Sequence, residues 1–293
     1  MTRPNSSMFA MCQVICLTAC GGGGEGTASF TTWGEEYIEE QIPVDPLGQT
    51  GFVDGWTLKY QKFLVTFRNI QVADRNGKVG GVAAGSFLVD NVRPGRKPLV
   101  AFPKLEAKEW SAVGYQISPA AADTLLVAAD QTDKDMMVAN GYSVFVQGSA
   151  FKTDAAGVRV EKTFKWGFKT ATQYRACKQA PESGRELEGI VVTNGGNDVS
   201  ELTTHGDHFF YDRLRASDNP AMVTSLRFDE KANADVNLDG EITMAEMVAT
   251  PLDVRSYDPS GFEVATLGDF VTALVRTVGH FRGEGECLVA AVP

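Results

Sequence analysis

Residues 56–72 read WTLKYQKFLVTFRNIQV, a long alternation of apolar and polar side chains. The apolar positions are Trp56, Leu58 and Tyr60, followed after a change of phase by Phe63, Val65 and Phe67. A period of two is typical of a β-strand with one buried face, and a change of phase indicates a bulge or bend. This segment therefore predicts one long strand that is interrupted by a bulge.

Three turn signals separate further strands of this kind. Asn76-Gly77 follows the first strand and predicts a hairpin turn. The segments YSVFVQGSAF (142–151) and VRVEKTFKWGFKT (158–170) predict a second hairpin, and residues 187–205 predict a third that turns at 194–196. Several short strands with turns between them indicate a β-sandwich or a barrel. Residues 30–205 are therefore predicted to form a β-rich, sandwich-like body.

The pattern changes to helical periodicity after residue 205. A first helix is predicted to begin at Asn219 and Pro220, a capping residue followed by proline. Residues 265–281 (ATLGDFVTALVRTVGHF) carry an apolar stripe at helical spacing, with a capping-box pair at Thr266 and Asp269 and with Gly279 placed to end the helix. The predicted fold class is α+β, with residues 206–293 forming a small helical section that packs on the β-rich body.

Residues 235–246 read DVNLDGEITMAE and resemble the calcium-binding loop of an EF-hand. Gly240 stands where that loop turns sharply, and Ile242 stands where it forms a short strand. The resemblance implies Ca²⁺ ligands at Asp235, Asn237, Asp239, Glu241 (through its carbonyl), Thr243 (through water) and Glu246. EF-hands that act as switches usually occur in pairs, and the sequence has no second loop. We therefore expect a structural Ca²⁺ site rather than a sensor.

The chain contains three histidines, and two of them lie in the segment THGDHFFYD. His205, His208 and the distant His280 are candidate ligands for Zn²⁺ or copper, with Asp207 or Asp212 as a further ligand or partner. Residues 205 and 208 would point in opposite directions on a strand, so they converge only if the chain turns at Gly206. The alternative is that the histidines only cap helices and form local hydrogen bonds.

The N-terminus has the pattern of an export signal. An apolar run at residues 8–19 is too short to span a bilayer and is followed by Cys20 and a glycine-rich stretch. The segment Leu17–Cys20 resembles the signal of bacterial lipoproteins. This resemblance implies cleavage after residue 19, acylation of Cys20 with groups such as palmitate, and a flexible tether at residues 20–29. Gly21 after the cysteine implies the outer membrane, facing the periplasm or the cell surface.

Cys177 and Cys287 are the two cysteines that remain after the signal and its lipidated residue. In an oxidising compartment, two remaining thiols first predict a disulfide. The alternative for Cys287 is a role as a metal ligand.

The charge balance restricts the function. The net charge of −10 and the isoelectric point near 4.9 disfavour nucleic-acid binding. The sequence has no nucleophile elbow, phosphate-binding loop or dinucleotide fingerprint, so we do not expect an enzyme. The acidic residues Glu35, Glu36, Glu39 and Glu40 are interpreted as a solvated surface.

The chain as a whole resembles uncharacterised Gram-negative lipoproteins with one EF-hand loop. Its first predicted function is a membrane-anchored, calcium-stabilised module that binds an unidentified protein or small molecule. The second is a copper- or zinc-binding protein that uses the three histidines, and the third is a metal-dependent hydrolase at the same site.

Overall fold

The computed structural model describes residues 23–48, 50–154, 156–180, 187–215 and 224–292. The predicted signal peptide at residues 1–19, the predicted lipidation site Cys20 and the predicted helix start at Asn219 and Pro220 lie outside the described residues. Within them, no helix has the length and apolar character needed to cross a membrane.

Strands dominate the described chain. They are β1 (Glu25–Trp33), β2 (Thr57–Ala73), β3 (Val79–Asp90), β4 (Lys97–Glu106), β5 (Glu109–Trp110), β6 (Ala112–Ile117), β7 (Leu125–Ala128), β8 (Val144–Thr153), β9 (Arg159–Phe168), β10 (Thr172–Arg175), β11 (Lys178–Gln179), β12 (Leu187–Glu188), β13 (Ile190–Val191), β14 (Asn197–Thr204), β15 (Glu241–Ile242), β16 (Gly279–Phe281) and β17 (Leu288–Ala291). The prediction of a β-rich body is confirmed.

The larger sheet is built around β2. Its strand order is β15-β9-β8-β2-β6-β10-β17, and β3 pairs with both β2 and β7. The register between β2 and β8 shifts between Tyr60 and Lys62. On a regular strand, Tyr60 and Phe63 would lie on opposite faces of the sheet. The bulge between them reverses the alternation, so both side chains lie on the same face and are fully buried. The bulge predicted from the change of phase is therefore confirmed.

Two of the three predicted hairpins are present. β2 and β3 pair antiparallel across a turn in which Gly77 has φ 80°, and β8 pairs antiparallel with β9. The third prediction was wrong, because the two halves of residues 187–205 pair with other strands. β13 joins β5, and β14 joins β1 and β16.

The smaller sheet positions the candidate site. Its order is β16-β14-β1-β4, and β1 and β14 run parallel with Trp33 opposite Thr203. The carboxyl ends of two adjacent parallel strands lie at the same edge of a sheet. The segments that follow Trp33 and Thr204 therefore leave the sheet side by side.

The helices are short. They are α1 (Glu35–Glu39), α2 (Gln131–Asn140), α3 (Asp229–Asn233), α4 (Met244–Ala249) and α5 (Leu267–Leu274), with 3₁₀ helices at Asp207–Phe210 and Val275–Thr277. The Thr266 hydroxyl accepts a hydrogen bond from the Asp269 N–H at 3.1 Å, so the capping box of α5 is confirmed. The apolar stripe of α5 is buried in the main core, which both sheets share.

The predicted final helix is shorter than its periodicity suggested. The chain leaves helical geometry after Thr277 and enters β16 at Gly279. A Cβ at Gly279 would lie 2.7 Å from the Tyr115 hydroxyl oxygen and 2.7 Å from Tyr174 Cζ, so the backbone passes close against two core aromatic rings. The described residues beyond 205 thus contribute strands to both sheets as well as the helices α3, α4 and α5.

Candidate metal centre

Strand pairing brings His205 and His280 together. His205 directly follows β14, and its backbone N–H donates to the Val278 carbonyl at 2.9 Å. His280 lies on β16, opposite Thr203 of β14. The two histidines are far apart in sequence but stand on adjacent antiparallel segments at one edge of the smaller sheet.

The turn that His208 requires is present at Gly206. Gly206 precedes the 3₁₀ helix Asp207–Phe210, and its carbonyl accepts a hydrogen bond from the Tyr60 hydroxyl at 2.6 Å. A Cβ at Gly206 would lie 2.6 Å from Ile38 Cγ1, so the close packing of the backbone explains the glycine. The helix then directs its two phenylalanines into the core and places His208 beside His205.

The three imidazoles form one cluster. The ring centroids of His205 and His280 are 4.2 Å apart, those of His208 and His280 are 5.0 Å apart, and those of His205 and His208 are 5.2 Å apart. Each of these residues is 6% exposed or less. The convergence predicted from the scarcity and clustering of histidine is therefore observed, at a buried location.

The hydrogen bonds of Thr277 define the tautomer of His208. The Thr277 hydroxyl donates to the Leu274 carbonyl at 2.8 Å and lies 2.8 Å from His208 Nδ1. Because the single hydroxyl proton is used on Leu274, the Thr277 oxygen must accept a hydrogen bond from the Nδ1–H of His208. This leaves the lone pair on His208 Nε2, which is the arrangement found in histidines that bind metals.

Among the described residues, two buried polar atoms at the cluster have no hydrogen-bond partner. They are His280 Nδ1 and Asp207 Oδ1. The other Asp207 oxygen accepts from the Tyr211 hydroxyl at 3.1 Å. Buried polar side-chain atoms are usually paired in native proteins, so two unpaired atoms at one place need an explanation.

The candidate ligands fall into two overlapping groups. His205, Asp207 and His208 place one ligand atom each within 4.8 Å of one another, and so do His205, His280 and Glu284. The first group is entirely buried, whereas Glu284 is exposed. His205 belongs to both groups.

Burial sets the protonation of the cluster. It lowers the pKa of His280 to about 3 and that of His208 well below the usual value, and the charge of His205 lowers both further. Burial also raises the pKa of Asp207, an effect partly offset by His205. His208 and His280 are therefore neutral at pH 7, which is the protonation state that binds metal.

The interpretation of Glu35 as part of a solvated surface was wrong. A Glu35 carboxylate oxygen lies 3.4 Å from His205 Nδ1, and burial raises the pKa of Glu35 to about 7 while His205 opposes that rise. Glu35 follows β1 just as His205 follows β14, and the parallel pairing of these strands brings them together. Glu35 also has φ 54°, a strained value for a residue with a side chain.

A cavity of about 190 Å³ opens onto one side of the cluster. His208 and His280 contribute to its wall, together with Tyr211, Arg213 and Thr277 among others. A small molecule or an ion therefore has a path to the imidazoles from this side.

The EF-hand-like loop lies at the edge of the larger sheet, where β15 pairs in parallel with β9 and Ile242 stands opposite Phe164. The Trp166 indole N–H donates to the Ile242 carbonyl at 2.8 Å. A strand of the body thus occupies the place that a second loop takes in paired EF-hands. Among the described residues, the carboxylates of this loop form no group of three within 4.8 Å.

The side chains of the loop make local hydrogen bonds. Asn237 Oδ1 accepts from the Asp239 N–H at 2.9 Å, and Asp239 Oδ1 accepts from the Glu241 N–H at 2.8 Å. Thr243 and Glu246 form the capping box of α4. Asp235 Oδ2 pairs with Lys162 and accepts from Gly240. Two further oxygens, Asp235 Oδ1 and Glu246 Oε1, are buried and have no hydrogen-bond partner in the part of the chain that the structure describes.

The disulfide predicted between Cys177 and Cys287 is confirmed. The disulfide anchors the segment between β16 and Cys287, in which Glu284 lies. The carbonyl of Gly283 in that segment lies 3.4 Å from His205 Nε2. The alternative role of Cys287 as a metal ligand is excluded by this bond.

Sequence reasoning missed Glu35, Thr277 and Glu284 as members of the site. Glu284 had a detectable signal, since it lies four residues after His280 and three before Cys287 in GHFRGEGEC. Glu35 and Thr277 had none, because only strand pairing and the 3₁₀ turn bring them to the histidines.

Comparisons with known proteins give little further information. No protein family and no curated protein match the sequence. One solved structure that resembles this chain is MbnP from Methylosinus trichosporium, with 11% sequence identity and a TM-score of 0.29, over 64% of this chain and 78% of that one. A similarity at this level supports no argument about function.

Proposed function

We propose that this chain binds one transition-metal ion, Zn²⁺ or copper, at the cluster of His205, His208 and His280, and that it is a binding protein rather than an enzyme. One observation carries the proposal: His280 Nδ1 and Asp207 Oδ1 are buried without partners beside two further imidazoles. A metal ion at the cluster would give Asp207 a partner in one ligand group and His280 a partner in the other. The neutral state of His208 and His280 supports it too, since no proton has to leave these rings.

The donor types suit Zn²⁺ and copper. Imidazole is an intermediate ligand that both ions accept, and Asp207 would add one carboxylate oxygen. Adjacent ligands of a tetrahedral zinc site lie about 3.3 Å apart, given bonds of about 2.0–2.1 Å. The ligand atoms here lie within 4.8 Å of one another, so each would have to move inward by at most about 1 Å to bind one ion.

Dialysis tests the proposal directly. Protein stripped of metal is dialysed against Zn²⁺ or Cu²⁺ at low micromolar concentration, and bound metal is measured by plasma mass spectrometry. We expect about one equivalent of transition metal per chain, because both candidate groups share His205 and describe a single centre. Less than about 0.1 equivalent of either ion would overturn the proposal.

We also propose a structural Ca²⁺ site in the loop at residues 235–246, in a lipoprotein anchored through Cys20. The observation that favours calcium is the pair of buried, unpartnered oxygens on Asp235 and Glu246. These residues occupy the first and last ligand positions of an EF-hand loop, and hard oxygens are the ligands that Ca²⁺ prefers. Binding would leave Lys162 on the other Asp235 oxygen.

Calcium is expected to raise the melting temperature of the metal-stripped protein. At a free Ca²⁺ concentration of 100 times Kd, ligand binding stabilises the folded state by about 2.7 kcal/mol. For a chain of this size that corresponds to a rise of about 5–10 °C. The measurement is a thermal scan with added CaCl₂.

Glu246→Gln is the matched variant for this measurement. Glutamine preserves the capping box of α4 but removes the charge that would close the calcium shell. Its melting temperature should not respond to CaCl₂. An equal rise in the wild type and the variant, or no rise in the wild type, would contradict the calcium site.

A further inference from the structure

We infer that the histidine cluster offers a metal ion two overlapping positions that share His205, and that the ion enters at the outer one. The outer position is formed by His205, His280 and Glu284, and the inner one by His205, Asp207 and His208. This inference rests on the proposed function, because it describes how the proposed ion reaches its site.

The exposure of the ligands distinguishes the two positions. Every residue of the inner group is at most 9% exposed, whereas Glu284 of the outer group is exposed. Removing a cation from water costs much free energy unless ligands replace the water as it leaves. On a direct path to the inner group, the ion would lose its bound water almost at once. At the outer position, Glu284 can bind the ion while it is still hydrated.

The segment that carries Glu284 is held firmly in place. The Gly283 N–H donates to the Thr203 hydroxyl at 2.8 Å, and the Phe281 N–H donates to the Gly285 carbonyl at 2.8 Å. The Arg282 guanidinium pairs with Asp198. The disulfide closes the far end of the segment at Cys287. Glu284 is therefore presented to the cluster by a fixed turn.

His205 allows transfer without release of the ion. An ion at the outer position exchanges Glu284 and His280 for Asp207 and His208 while His205 remains bound. Only ligand exchange is involved, so no bond of the protein breaks. Asp207 Oδ1 has no partner that has to be displaced, and the Thr277 contact already leaves His208 Nε2 free of a proton.

Stopped-flow absorbance with Co²⁺ tests this path, because the visible spectrum of Co²⁺ reports its coordination. Wild-type protein stripped of metal should bind in two phases. Glu284→Gln should slow the first phase about tenfold through loss of the local charge and leave the equilibrium Kd within about twofold. Asp207→Asn should keep the first phase and weaken the equilibrium affinity about 10–100-fold.

Glu36→Gln is the matched control, since Glu36 is an exposed carboxylate next to Glu35, belongs to neither group and does not line the cavity at His208 and His280. It should change neither phase. An equal slowing in Glu36→Gln would mean general electrostatic attraction and would overturn the inference. So would an unchanged first phase in Glu284→Gln, or an equilibrium loss in Glu284→Gln as large as that in Asp207→Asn. If the wild type binds no metal at all, the proposed function itself fails.

Discussion

His205→Ala will lower the affinity for Zn²⁺ or Cu²⁺ by a factor on the order of 10³ or more. His205 is the one residue common to both ligand groups, so its loss leaves neither group complete. Loss of a residue that merely supports a ligand typically costs 10–100-fold in metal affinity, and loss of a shared ligand should exceed that range. Competition titration against a chromophoric chelator of known affinity measures the change.

The control for this variant is a comparison within the cluster. His208→Ala should lose less affinity than His205→Ala, because the group of His205, His280 and Glu284 remains intact. Near-ultraviolet circular dichroism from the buried Trp56 and Trp166 verifies that each variant is folded. Unchanged affinity in folded His205→Ala would rule out metal binding at this cluster.

Replacing both Cys177 and Cys287 by alanine will destabilise the protein by about 4–5 kcal/mol. The disulfide joins residues separated by 110 positions, and in the chain-entropy model a loop of this length contributes about 4–5 kcal/mol. Urea unfolding followed by tryptophan fluorescence gives the free energy of unfolding for both proteins. The same variant should also take up metal more slowly, because the segment with Glu284 loses its anchor.

Wild-type protein treated with a reductant is the control for the disulfide. Reduction should reproduce most of the stability loss of the double variant, and the reductant should have no effect on the variant itself. If the unfolding midpoints of reduced and oxidised wild type coincide, the disulfide does not constrain the unfolded chain as argued.

Local patterns in the sequence predicted the parts of the fold that depend on neighbours along the chain. The change of phase between Tyr60 and Phe63 marked the bulge of β2, and the pair of Thr266 and Asp269 marked the start of α5. The apolar stripe continues to Phe281 and Gly279 was predicted to end the helix, but α5 ends at Leu274 and a 3₁₀ turn follows it. Helical periodicity does not reveal that Gly279 has to pass close to Tyr115 and Tyr174, and that contact is tertiary.

The site was only partly predictable for a similar reason. Histidine is scarce in this chain, so the three residues could be proposed together from composition alone. Glu35 could not, because its place depends on parallel pairing of β1 with β14, which lies far along the chain. Parallel pairing leaves no turn signal in the sequence, and thus Glu35 resembled its exposed neighbours Glu36 and Glu40.

X-ray absorption at the metal edge of protein loaded with one equivalent of Zn²⁺ or Cu²⁺ tests the central claim most directly. Scattering from the imidazole rings reports how many histidines bind the ion. The account predicts at least two imidazole nitrogens, at about 2.0–2.1 Å for Zn²⁺, and at least one carboxylate oxygen. A shell of oxygen atoms without imidazole would contradict it, since the ion would then lie outside the histidine cluster.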